Sequence, residues 1–144
     1  MSLMQSFFKW YVARHIRIFR ASGGQKMNRM RGMPVALVTA PGRKSGQPRT
    51  VPLLYVEADG DYIVCASAGD APKHPAWYYN LEAAGQATLE LPGRKVDAEV
   101  VVAEGEERAQ LFAKMCAAGK FYAAYQKKAG SRVIPMIRLR PTQG

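Results

Sequence analysis

A chain of 144 residues, 48% hydrophobic and 22% charged, has the length and composition of one globular domain with a real core and no room for two. No apolar run approaches the ~20 residues that span a bilayer as a helix, and Met4–Phe19 is interrupted by Lys9, Arg14 and Arg17 with no small-residue cleavage site after it, so no secretory leader is expected. The net charge of +10 is confined to the N-terminal third: residues 1–50 hold ten Lys/Arg and no acid, and Glu57 is the first carboxylate. So one-sided a field attracts nucleic acid, an anionic membrane or an acidic ligand. Cys65 and Cys116 have no second cysteine or histidine at ligand spacing. Nothing here implies a disulfide framework, Cys65 reads as a buried free thiol, and the expected compartment is cytoplasmic.

In chain order, Met4–Phe19 is the first element, an amphipathic helix within an N-terminal segment 1–24. Met4, Phe7, Phe8, Tyr11, Val12, Ile18 and Phe19 share one face, with Lys9, Arg17 and Arg20 opposite. Packing of this face on the helix's own domain is the favoured reading. The alternative is an aromatic-rich helix closing over a ligand or lying at the inner face of the cell membrane. Ser22-Gly23-Gly24 stops it. Residues 25–144 then read as a single domain. Pro34–Thr39 is a short apolar strand, followed by the basic loop 42–50. Val51–Ala58 and Tyr62–Ser67 are strands joined at Asp59-Gly60, a hairpin signal. Pro75 opens a helix over Ala76–Ala84 that Gly85 ends. Ala87–Leu91 and Lys95–Val102 form a hairpin through Pro92-Gly93. Glu104–Ala118 is a helix with acids in its first turn; Lys120–Lys128 is a second, and Val133–Leu139 a last strand in which Arg138 and Arg140 alternate with apolar neighbours. About six mostly antiparallel strands with helices at both ends and inserted predict an α+β, barrel-like sheet.

Several chemistries are absent. There is no G-x-G-x-x-G after a strand and no Walker loop. His15 and His74 stand too far apart in sequence to suggest a metal site. No G-x-S-x-G elbow accompanies His74, and the acids are too scattered to nominate a carboxylate pair. No nucleic-acid motif is present, and aromatics are not interleaved with the cations on one sheet. With so little intrinsic reactivity, an enzyme built from this chain would borrow its chemistry from a cofactor.

The loop Gly42-Arg43-Lys44-Ser45-Gly46-Gln47-Pro48-Arg49-Thr50 is the most informative segment. Its glycines let backbone N–H groups approach a ligand, its arginines can fork phosphate or carboxylate, and Lys44 adds a point charge. That pattern suits a polyanionic small molecule as well as a solvated basic turn. Two further segments could line the same site: Ala66-Ser67-Ala68-Gly69 followed by His74 to Asn80, and Phe121-Tyr122-Ala123-Ala124-Tyr125. Tyr122 and Tyr125, three apart, share a helix face.

These blocks carry a resemblance. Leu37-Val38-Thr39-x-x-Gly42-Arg43-Lys44-Ser45-Gly46-x-Pro48-Arg49-x-x-Pro52-Leu53, Pro75-x-Trp77-Tyr78-x-Asn80-Leu81 and Tyr122-x-x-Tyr125-Gln126…Arg132-x-Ile134-Pro135 resemble the deazaflavin-dependent nitroreductase and F(420)H(2)-dependent quinone reductase family, in order and near-identical spacing over about residues 30–141. The resemblance implies a split β-barrel of the FMN-binding and pyridoxamine-phosphate-oxidase kind. It implies reduced coenzyme F420, a deazaflavin with a phosphate and an oligoglutamate tail, as hydride donor to a hydrophobic quinone, nitroaromatic or conjugated enone. Carried over by position, Arg43, Lys44, Ser45, Gly46, Gln47, Pro48 and Arg49 would hold the phosphate and tail; Pro52, Leu53, Leu54, Ala66, Ser67, Ala76 and Trp77 would flank the ring. Ser67, Tyr122 and Tyr125 are the expected catalytic residues, as hydrogen-bond donor, acceptor positioner or proton donor. No metal is expected. Gly119 stands where related sequences often place tyrosine, which implies a more open pocket wall, and Ala68 where some place lysine. The alternatives are FMN or haem on the same barrel, and a non-enzymatic basic module at a membrane surface. A monomer and a homodimer are equally compatible with the sequence.

Overall fold

The computed structural model describes residues 3–67 and 74–142. Among them lie α1 (Leu3–Ala21), β1 (Arg29–Met30), β2 (Met33–Pro41), β3 (Pro48–Leu54), β4 (Val56–Ala58), β5 (Asp61–Cys65), α2 (Ala76–Ala84), β6 (Gln86–Leu91), β7 (Arg94–Val102), α3 (Gly105–Ala118), α4 (Phe121–Ala129) and β8 (Met136–Pro141). All their pairings are antiparallel, in the order β1-β2-β6-β7-β8-β5-β4, with β3 on β2 as well.

The run 51–58, expected as one strand, is divided at Tyr55. Residues up to Leu54 pair with β2, while Val56–Ala58 pair with β5. The Tyr55 N–H leaves the ladder and donates to the Pro34 carbonyl at 3.2 Å. One bent strand therefore belongs to both ends of the sheet and closes it into a split barrel. Counted this way, the barrel has the six staves expected from the sequence. β3 starts at Pro48, opposite Pro41, earlier than the apolar pattern suggests. β8 starts at Met136, later than the expected Val133. Side chains explain the delay: the Gln126 amide takes the Ile134 N–H (3.1 Å) and donates to the Arg132 carbonyl (2.9 Å), and Arg108 donates to the Ile134 carbonyl at 2.8 Å. Those backbone groups are satisfied without a ladder. β1, two residues long, is too short to leave a periodic signal.

The strands separate two cores. Inside the barrel, Tyr62 and Val64 meet Val38, Leu89, Ile137 and Leu139. Outside it, Ile63 and Cys65 meet Leu111, Met115, Tyr122 and Met136 beneath α3 and α4. Burial on both faces explains why β5 lacks polar alternation. It also buries Arg138, which alternates with apolar neighbours along β8: α3 covers that face, and Arg138 lies against Asp61 and Glu107.

The favoured packing of the N-terminal helix holds only for its second half. His15 and Phe19 are buried, but Met4 is 83% exposed, Phe8 66% and Trp10 59%. Its C-terminal end is anchored by Arg20, placed on the solvent face from sequence, which donates from Nε (3.0 Å) and a terminal nitrogen (2.8 Å) to the Glu90 carboxylate. The Gly24 N–H closes the helix on the Phe19 carbonyl at 2.8 Å.

Candidate active site

The basic loop is the connection between β2 and β3. The Gly42 N–H donates to the Gln47 carbonyl and the Gly46 N–H to the Gly42 carbonyl, both at 2.8 Å. A Cβ on Gly42 would stand 2.8 Å from Ser45 Oγ, so a side chain there would push the Ser45 hydroxyl from its present position. Ser45 Oγ accepts the Gln47 N–H at 3.2 Å. Asn80 of α2 docks the loop by accepting the Arg43 N–H at 3.0 Å, and the Arg43 guanidinium lies over Tyr79, 4.8 Å from the ring centre. Among the described residues, Arg43, Lys44 and Arg49 form no ion pair. Three cations held close together without a carboxylate repel one another and favour an anion.

These cations border a cleft of about 430 Å³, walled also by Ser45, Ala76 and Trp77. Gly46, Gln47 and Pro48, expected as ligand contacts, do not line it; they shape the turn. Trp77 is also a wall of a second cleft of about 220 Å³, which gathers Pro52, Leu53, Leu54, Ser67, Tyr122 and Tyr125. Both clefts use this indole as a wall, so a charged cleft and a flat apolar one adjoin. Of the expected ring contacts, Ala66 does not line either cleft; its side chain is fully buried in the barrel core. Ala68 and Gly69 lie outside the described residues. A larger groove of about 710 Å³, by Arg20, Gly24, Glu90 and Arg94, has its charge partly cancelled by the Arg20–Glu90 pair.

The two tyrosines differ. Tyr122 is 4% exposed, and burial holds its phenol well above the usual tyrosine range, so it keeps its proton and serves mainly as a wall. Tyr125 packs edge-on to it at 5.9 Å and accepts a 2.7 Å hydrogen bond from Arg31. Cys65, also lining the second cleft, is pushed up to about 12 by burial and is an inert thiol, as expected. Gly119 does not open the wall: it is buried, and a Cβ would stand 2.9 Å from Met33 Sδ and 3.0 Å from the Phe121 ring. Gly119→Ala should cost about 1–3 kcal/mol through this overlap, read as a lower urea midpoint.

Ser67 is fixed from behind. Arg132 donates to the Ser67 carbonyl at 2.6 Å and to His74 Nδ1 at 2.9 Å. Since a guanidinium only donates, Nδ1 must be the bare nitrogen. Burial, with the neighbouring Arg132 charge, lowers the His74 pKa and favours that neutral ring. Sequence reasoning left His74 without a partner and missed Arg31; an arginine before Gly32 in an acid-free stretch gives no sign that it reaches α4.

The described residues fit a cofactor that has a phosphate, an acidic tail and a flat ring: the tight loop supplies cations with no ion pair among those residues, and the adjoining slot supplies flat apolar walls. A split barrel with such a two-part site belongs to the class of cofactor-binding split-barrel proteins. Residues 10–141 match the model of the F(420)H(2)-dependent quinone reductase family, and the chain belongs to that family. It is 42% identical over 71 residues to an F(420)H(2)-dependent quinone reductase of Mycobacterium tuberculosis, covering 48% of this chain and 47% of that protein. The chain thus spans about half the length of that relative. Among solved structures, it is similar to an F420-H2 dependent reductase, FDR-A (38% identity, 74% of this chain and 94% of that one, TM-score 0.68). It is also similar to a protein described as a domain-swapped dimer (32% identity, 92% and 98%, TM-score 0.71). The haem storage protein HutZ of Vibrio cholerae shares the fold alone, at 19% identity and TM-score 0.55, covering 92% of each chain.

Proposed function

We propose that this chain binds reduced coenzyme F420 across the two clefts joined at Trp77 and reduces a quinone or a similarly activated nitroaromatic or enone. The observation that carries this reading is the Arg43–Lys44–Arg49 cluster, without an ion pair among the described residues, beside an apolar, aromatic-walled slot. The reduced deazaflavin supplies a hydride. The residues supply the rest: Arg43, Lys44 and Arg49 hold phosphate and acidic tail, Ser45 donates to the same anion, and Pro52, Leu53, Leu54 and Trp77 confine the ring. Ser67, its carbonyl pinned by Arg132, offers its hydroxyl to ring or acceptor. Tyr122 walls the acceptor, and Tyr125 or solvent returns the proton. Mixing protein, reduced coenzyme F420 and menadione should oxidise the cofactor, followed by its returning visible absorbance. Absence of F420 binding together with tight FMN or haem binding would transfer the site to the alternative cofactors.

A second reading rests on the exposed end of α1. Leu3, Met4, Phe7, Phe8 and Trp10 are each more than half exposed, beside the cations Lys9 and Arg14. We propose that this end rests on an anionic membrane surface, where each cation contributes about 1 kcal/mol and an apolar quinone would be concentrated. The full chain should co-sediment with phosphatidylglycerol vesicles, and Phe7→Glu/Phe8→Glu should release it. A chain that stays soluble and instead halves its mass on that substitution would assign the face to a second copy.

A further inference from the structure

Arg31 stands in the turn between β1 and β2 with φ +54°, a left-handed conformation that arginine rarely adopts. The following Gly32 (φ +80°) completes the turn, and Arg29 holds it by donating to the Gly32 carbonyl at 2.6 Å. The unusual backbone carries the guanidinium across to α4. There it lies 3.7 Å from the centre of the Phe121 ring and donates to Tyr125 Oη at 2.7 Å. It is exposed, lines the second cleft, and has no carboxylate partner among the described residues. A guanidinium carries five N–H groups, so the bond to Tyr125 leaves donors to spare. Its planar face is already stacked, which fixes its orientation before any ligand arrives. Because Tyr125 accepts from Arg31, its own hydroxyl hydrogen is free to point elsewhere.

From this arrangement we propose that Arg31 is the anion-recognition residue of the acceptor cleft. It takes the acceptor oxygen on which negative charge gathers, and it selects planar acceptors with an acidic oxygen substituent over their neutral parents. This rests on the proposed reductase reading. The hydride's electron pair enters the conjugated acceptor at carbon and displaces the π pair onto its oxygen. That oxygen gains a formal negative charge until a proton arrives from Tyr125 or water. Arg31 donates to it throughout and loses no proton, since a guanidinium remains protonated in proteins. The two-residue β1–β2 hairpin itself calls for positive φ at both Arg31 and Gly32, and the ladder on either side holds the turn in place.

The test begins without cofactor. In a Trp10→Phe parent, Trp77 is the remaining tryptophan and its fluorescence reports the cleft. 2-Naphthoate and the neutral 2-naphthamide are titrated against the parent, Arg31→Gln, Arg31→Lys and Arg43→Gln. Arg31→Gln should weaken naphthoate about tenfold and leave naphthamide within about twofold, Arg31→Lys should restore part of the loss, and Arg43→Gln should change neither. No naphthoate binding to the parent, an unchanged constant in Arg31→Gln, or a loss confined to Arg43→Gln would each overturn the assignment. With cofactor, Arg31→Gln should lower kcat for menadione while the F420 dissociation constant stays at the parent value. A parent that binds naphthoate through Arg31 but not F420 would refute the reductase reading and leave the anion site standing.

Discussion

Arg43→Glu should raise the dissociation constant for coenzyme F420 about a hundredfold, because it removes charge-assisted hydrogen bonds worth about 1.5–3 kcal/mol and puts a carboxylate against the acidic tail. The loop should survive the change. Its contact with Asn80 uses the Arg43 backbone N–H, and the turn is closed by Gly42, Gly46 and Gln47 backbone groups. Melting should therefore stay within about 0.5 kcal/mol of the parent, as for exposed sites in general. Arg43→Gln should fall between the two, and the salt dependence of binding should flatten with each cation removed, since exposed charges act through a screened field. The measurement is a fluorescence titration at two ionic strengths. A constant within twofold of the parent for Arg43→Glu would remove the phosphate from this loop.

Asp61→Ala should destabilise the protein by about 3–5 kcal/mol, a large share of the ~5–15 kcal/mol that holds a domain of this kind together. Asp61 and Arg138 side chains are each only 10% exposed and stand 2.8 Å apart. Arg138 also reaches Glu107 at 3.2 Å and the Ala58 carbonyl at 3.4 Å, and Arg140 approaches Asp61 at 3.5 Å. Removing the carboxylate leaves a buried cation with two weaker partners, Glu107, which is half exposed, and Asp59, which is 3.9 Å away and exposed. The paired replacement Asp61→Leu with Arg138→Met should lose much less, because it removes both charges and keeps the volume. Urea unfolding of the singles and the double separates the cases. Equal losses in Asp61→Ala and the double variant would show that shape rather than charge matters at this junction.

Legibility from sequence followed the locality of the signal. α2 was readable from Pro75 and Gly85, and the β6–β7 hairpin from Pro92-Gly93, because turn chemistry acts within a few residues. The cationic loop and its aromatic neighbours were readable as one site only through their combined spacing, and the structure brings Arg43, Trp77, Ser67 and Tyr125 to adjoining clefts. What escaped depends on distant partners. Tyr55 interrupts a run that looks continuous because two different strands claim its halves. Arg138 looks solvent-facing until α3 is laid over it. Gly119 looks like missing bulk but is filled by Met33 and Phe121. The aromatic stripe of α1 reads as core, although the domain beneath it ends near His15.

β3 carries determinants for both ends of the site on one straight element, with Arg49 beside the cationic cleft and Leu54 beside the apolar one. A strand advances about 3.3 Å per residue, so Arg49 and Leu53, which share a face, stand about 13 Å apart, and the hydrogen bonds to β2 prevent the interval from stretching. Under the proposed function, the strand would be a ruler for its ligand. A molecule whose charge and ring are more closely spaced can satisfy one end but not both, and inserting one residue would turn every later side chain to the opposite face. Selection by length would come from backbone spacing, independently of the side chains that do the gripping.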